Sequence, residues 1–125
     1  NLPWGAPGNL TNASSFFNGL ENTSMIVLGE GNTDNAAVIC DNLTSGAYED
    51  WYLPSIDELL LLFRNRFIID RVLENDNDSA THPLKSEKYW SSTERDATKA
   101  YIVEYGKSMI SIKENSASVR AIRKF

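Results

Sequence analysis

Asp50-Trp51-Tyr52-Leu53-Pro54-Ser55-Ile56-Asp57-Glu58-Leu59-Leu60 holds an aromatic anchor, a proline stop, a helix start and the beginning of an apolar helix face. Ser55 and Glu58 have the spacing of a capping box. The Ser55 hydroxyl can accept from the Glu58 backbone N–H, while the Glu58 carboxylate reaches back to the Ser55 N–H. Pro54 keeps Leu53 out of helical geometry, so the helix cannot begin earlier. Leu59, Leu60, Phe63 and Phe67 recur at helical spacing and need a core to cover them. The stretch predicts an amphipathic helix from Ser55 to Arg64 or beyond, ending near residue 66.

Outward from this helix, the chain divides into a helical first half and a stranded second half. Residues 1 to 12 carry Pro3, Gly5, Pro7 and Gly8 and read as an irregular lead-in anchored by Trp4. Ala13 to Leu20 reads as a short helix capped by Asn12, with Gly19 weakening it. Met25 to Leu28 is a brief apolar run, strand or buried loop, and Gly29 to Asn32 a turn. Ala36, Ala37, Cys40 and Leu43 share one face of a second helix over Asp34 to Leu43, with Thr33 or Asp34 as its N-cap. Residues 74 to 88 are polar and read as a long surface loop.

Beyond that loop, Tyr89 to Thr93 is a strand candidate. Ala100 to Tyr105 and Lys107 to Lys113 flank Gly106 as a hairpin, and Val119 to Phe125 reads as a last strand. Alternation puts Ile110 and Ile112 on one face, taken as apolar. Lys107, Met109, Ser111 and Lys113 fall on the other, taken as exposed. Helices first and strands second argue α+β rather than a parallel α/β fold.

A chain of 125 residues is most simply one domain, here residues 1–125. The net charge of −5 argues against a nucleic-acid binder, which would carry a basic stripe. No apolar run approaches the roughly 20 residues needed to span a bilayer; the longest, Ala36 to Cys40 and Leu59 to Phe63, have five each. The charge is uneven. Residues 1 to 98 hold six basic and fifteen acidic side chains, whereas residues 99 to 125 hold six basic and two acidic ones. Such asymmetry marks either the side that meets a partner or basic strands that pair with acidic helices of the same domain.

Cys40 is the only cysteine, which excludes an internal disulfide and a multi-cysteine metal site. It reads as a small buried hydrophobe. His82 is the only histidine; it lies beside Pro83 in the polar loop, with no nucleophile elbow nearby. An EF-hand register starting at Asp76 places Asp78 third and Glu87 twelfth. It fails at Ala80, which cannot ligate, and at Thr81, where glycine is required. These readings lead to no catalytic residue, no metal and no cofactor, with a weak, irregular calcium site at Asp76 and Asp78 as the one alternative.

Three motifs occur in order: Trp51-Tyr52-Leu53-Pro54-Ser55 with Glu58-Leu59; Tyr89-Trp90-Ser91-Ser92-Thr93-Glu94; and Val119-Arg120-Ala121-Ile122-Arg123-Lys124-Phe125. Together they resemble the C-terminal domain of bacterial collagen-like adhesins. The resemblance implies a C-type-lectin-like fold and display outside the cell on a stalk or fibre, often trimeric, as the C-terminal piece of a longer surface protein. It also implies binding to glycans or other surface ligands. The Glu-Pro-Asn, Gln-Pro-Asp and Trp-Asn-Asp motifs of calcium-dependent lectins are absent. Leu53 to Leu59 distantly resembles the helix start of formylglycine-generating enzymes, which need two cysteines where this chain has Cys40 alone.

The expectation is therefore a non-enzymatic, extracellular binding module. Its ligand is a glycan or anionic surface polymer, without nucleic acid and without membrane insertion. Lys107 and Lys113 are the leading contact residues, extended by Lys99, Arg123 and Lys124, with arginine able to make bidentate contacts. Trp51 and Trp90 read as anchors, and Ser91, Ser92 and Thr93 as partners of nearby backbone. Arg120 or Arg123 is expected to pair with an acid such as Asp57 or Glu58. The competing expectation is a protein-contact module, a trimer-forming cap or a receptor-binding tip.

Overall fold

The computed structural model describes residues 2–31, 34–44, 47–65 and 88–123. Its elements are β1 (Leu2–Pro3), α1 (Gly19–Glu30), α2 (Ala36–Asp41), α3 (Ile56–Arg64), β2 (Lys88–Glu94), β3 (Lys99–Glu104), β4 (Lys107–Ile112) and β5 (Ser116–Ala117). The fold is α+β, with helices in the first half and an antiparallel sheet of order β2-β3-β4 in the second. β1 and β5 form a separate two-stranded pair.

The capping box forms as its spacing predicts. The Glu58 N–H donates to Ser55 Oγ at 3.3 Å, and the Ser55 N–H donates to Glu58 Oε1 at 3.0 Å. The same carboxylate also takes the Gly19 N–H at 2.8 Å and the Tyr52 hydroxyl at 2.8 Å. One side chain thus ties the start of α1 to the start of α3. Gly19 is required at that junction. A Cβ there would lie 2.5 Å from Glu58 Oε1, 2.6 Å from the Ser55 nitrogen and 2.7 Å from the Leu53 oxygen.

Two apolar clusters cover the two faces of the sheet. On one face, Ile26 of α1 and Ala36, Ala37 and Cys40 of α2 pack with Trp4, Leu53, Trp90, Ala100 and Ile102. On the other, Ile56 and Leu59 of α3 pack with Tyr89 and Val103, flanked by Leu60, Phe63 and Tyr101. Phe67, expected to extend the α3 face, lies outside the described residues, as do Thr33, Gly46 and nearly all of the polar loop from residue 74.

β2 is irregular. Trp90 pairs with Ile102 but Glu94 with Ala100, so the register shifts in between. Ser91, Ser92 and Thr93 occupy that bulge and are fully buried. Their hydroxyls bond backbone of other segments in place of the missing ladder bonds. Ser91 Oγ donates to the Tyr101 carbonyl at 2.7 Å, and Thr93 Oγ1 donates to the Ser15 carbonyl at 2.9 Å while accepting the Ile56 N–H at 3.0 Å. The β3–β4 hairpin turns on Tyr105 and Gly106, both at positive φ (52° and 77°), the arrangement whose twist matches flanking strands.

Four expected elements differ. Ala13 to Asn18 is not helical, because Asn18 rather than Asn12 caps α1, its side chain accepting from the Glu21 N–H. The segment is instead pinned by tertiary bonds, the Glu94 N–H donating to the Ala13 carbonyl and the Ser15 N–H to Asn22 Oδ1. Met25 to Leu28 lies within α1, which runs to a Gly31 cap at φ 71°. α2 is shorter than expected, with Asn35 as its cap. The expected last strand does not form over its described residues, 119 to 123, where a single bridge joins Tyr52 to Ile122; β5 precedes it. No helix among the described residues is long and apolar enough to cross a membrane.

Candidate functional site

The expected basic surface is divided by the structure. Lys99 and Lys107 are exposed, at opposite ends of the β3–β4 hairpin: Lys99 pairs with Ile112, and Lys107 with Glu104. Glu104 pairs on its other side with Lys88, also exposed. The loop end of the sheet therefore presents Lys88, Glu104 and Lys107 in a row across three strands. Lys88 escaped sequence reading because it closes a polar run. The alternation Lys88-Tyr89-Trp90 places it on a strand instead.

Lys113 is a correction. Expected on an exposed face, it is fully buried. Its ammonium donates to Glu94 Oε2 at 2.6 Å and to the Asn9 carbonyl at 2.8 Å, and it lies 4.5 Å from the centroid of a Trp4 ring. Glu94 also accepts from the Thr11 N–H and hydroxyl, each at 2.9 Å, and from the Asn12 N–H at 3.0 Å. Lys113 does share the face of Lys107 and Met109, as alternation requires. That face is the one covered by Trp4 and Trp90, because Ser111 and Met109 pair with Ala100 and Ile102. The N-terminal segment covers it at the Lys113 end and leaves it bare at the Lys107 end. Ile110 and Ile112 do share the α3 face of the sheet, Ile110 opposite Tyr101, but on the edge strand they are each left 43% exposed.

Arg123 is held in a structural clip. Its Nε donates to Asp50 Oδ1 at 2.8 Å and one Nη to Oδ2 at 3.1 Å, and its guanidinium stacks 3.6 Å over Tyr48. The expected acid partners were Asp57 or Glu58; Glu58 is committed to the capping box instead. The hydrogen bond from Arg123 holds the Asp50 carboxyl below its ordinary range. Lys124 lies outside the described residues, as do His82, Asp76 and Asp78.

Two further titratable groups, Cys40 and Tyr52, serve the interior. Burial, and then the charge of Asp41, pushes the Cys40 thiol up to about 12. Burial, reinforced by the hydrogen bond to Glu58, raises the Tyr52 hydroxyl well above its usual value. Trp90 and Trp4 are both fully buried, with their indole N–H groups donating to the Leu2 and Ser91 carbonyls. Among the described residues, no group of three or more histidine, cysteine or acidic side chains is placed to hold a metal ion.

No curated protein matches this sequence. The model of one family, the Lcl C-terminal domain, matches residues 2–123. With that match spanning nearly the whole sequence, the chain belongs to the Lcl C-terminal domain family.

Proposed function

We propose that this chain is a non-enzymatic binding module of the cell surface or extracellular space, with a C-type-lectin-like fold of the kind carried by collagen-like adhesins. Its ligand is an anionic surface polymer such as a sulfated glycan. The observation that carries the reading is the pair Lys88 and Lys107, exposed on either side of Glu104 in one row across the loop end of the sheet. Lysines spaced along a stiff sheet can hold sulfate or carboxylate groups at fixed intervals. Family membership and the interior roles of Cys40, Tyr52 and Glu94 support the same reading.

A heparin-like polymer should bind the domain and lose affinity as salt rises past physiological strength, where the Debye length is about 8 Å. The double change Lys88→Glu with Lys107→Glu should weaken binding at least about tenfold, the equivalent of one charge-assisted contact. Unchanged affinity in this variant would exclude the hairpin end as the site.

A specific observation favours a second reading, a protein-contact module. β4 is an edge strand whose Met109, Ile110 and Ile112, with Tyr105 in the turn, are 43–71% exposed. Exposed apolar edges are templates for pairing with another chain. If the domain binds no sulfated or neutral glycan and sediments as an oligomer that Ile110→Lys dissolves, this reading replaces the first.

A further inference from the structure

The segment before α1 carries two consecutive phenylalanines that do not enter either core. Phe16 is 46% exposed and Phe17 76% exposed. Single exposed apolar residues are ordinary. These two lie on backbone that is held firmly. The Phe16 carbonyl accepts the Asp57 N–H at 3.0 Å, the Ser15 carbonyl accepts the Thr93 hydroxyl at 2.9 Å, and the Gly19 N–H donates to Glu58 at 2.8 Å. The Phe16 ring is further braced edge-on by Tyr101, with centroids 5.2 Å apart. The fold thus spends ordered backbone on presenting two aromatic rings to solvent.

The rings border a cleft of about 500 Å³, within the size range of small-molecule sites. Met25 and Asn22 also line it. Asn22 is buried and bonds the Ser15 backbone in both directions. The rest of the lining is polar with unspent capacity. The Asn12 amide and the Ser14 hydroxyl make no hydrogen bond among the described residues. Glu21 uses only Oε2, which accepts from the Asn18 amide at 3.2 Å. Asn12 is held at φ 63°, a conformation that asparagine tolerates better than most residues, by the bond from its N–H to Glu94.

We propose that this cleft binds a neutral hexopyranose, with Phe17 and Phe16 against the apolar C–H face of the sugar ring. The Asn12 amide, the Ser14 hydroxyl and the Glu21 carboxylate take its hydroxyls. An amide, a hydroxyl and a carboxylate together offer the donors and acceptors that vicinal hydroxyls need. The aromatic rings supply a rigid apolar surface at low conformational cost. The Glu21 charge repels sulfate and carboxylate, so the cleft selects a neutral sugar where the lysines of the hairpin select an anionic one. The inference shares with the preceding reading the ligand class, a saccharide, and rests on different residues.

The test is saturation-transfer NMR with lactose and cellotetraose as neutral probes and a heparin-derived oligosaccharide as the sulfated probe. Irradiating the aromatic protons should mark the ring C–H protons of at least one neutral probe. Phe17→Ala should weaken that binding at least about tenfold while melting like the parent, because a ring so exposed gives the core little. Asn12→Gly keeps the left-handed backbone and removes the amide, and should weaken it several-fold. Lys107→Glu should leave neutral binding unchanged, and the sulfated probe should not displace the neutral one. The proposal is overturned if neither neutral probe is marked, if Phe17→Ala binds as the parent does, or if the sulfated probe competes. Failure of the sulfated probe to bind anywhere would remove the hairpin reading and leave the cleft standing.

Discussion

Lys113 shows how the same residue type takes opposite roles at the start of β4 and just past its end. Lys107 stands in solvent, and its charge costs the fold almost nothing. Lys113 is enclosed with Glu94, Trp4 and the Asn9 carbonyl, where a charge is tolerable only because it is paired and hydrogen-bonded. Removing one partner leaves the other ion buried alone. Lys113→Met should therefore destabilise the protein by about 3–5 kcal/mol, since Glu94 would be left buried beside Thr11 and Asn12 without its counter-ion. Lys107→Glu should shift stability by less than about 0.5 kcal/mol, as surface changes do. Urea denaturation of the two variants beside the parent measures both. Equal stability of all three would contradict the buried pair.

At the scale of elements, α3 and the hairpin were legible because their signals are local. Ser55 and Glu58 specify a start, Pro54 forbids an earlier one, and Gly106 marks a turn between apolar strands. What escaped depends on contacts across the chain. Asn18 caps α1 only because Gly19 can sit against Glu58, thirty-nine positions away in sequence. The burial of Lys113 depends on residues 4 to 12 folding over one end of β4. The lysine row depends on a register that sets Lys88 beside Glu104. Two substitutions separate the local signal from the distant one. Ser55→Ala removes a cap and should cost about 1 kcal/mol. Gly19→Ala drives a methyl into backbone at 2.6–2.7 Å and should cost on the order of 3 kcal/mol, the upper range for overpacking. Thermal denaturation would show the second loss exceeding the first; the reverse order would mean that the α1–α3 junction is loose.

Across the whole molecule, distant segments are fastened at a few polar points. One is the Asp50–Arg123 clip beside the Tyr52–Ile122 bridge. The Asp50 carboxyl titrates lower in the folded protein than in the unfolded chain, where aspartate stands near about 3.9. Its contribution to stability is therefore full above that unfolded value and lost as pH falls through the folded one. Asp96 behaves alike, held low by the Thr98 N–H and hydroxyl and the Lys99 N–H. Asp50→Asn should flatten the acid limb of a melting-temperature profile between about pH 5 and pH 2 relative to the parent. An unchanged limb would show that the clip is not formed in solution. A second fastening sits at the other end of the chain. Leu2 and Pro3 pair with Ala117 and Ser116, the Trp4 N–H donates to the Lys113 carbonyl at 2.9 Å, and the Trp4 indole reaches the Ser91 carbonyl at 2.9 Å. Tension applied at Leu2 would meet these bonds first, with the Lys113–Glu94 pair behind them. The β3–β4 turn that carries Lys107 takes part in none of these bonds, so a pull from this side would strain its own knot before it deformed the surface proposed to bind.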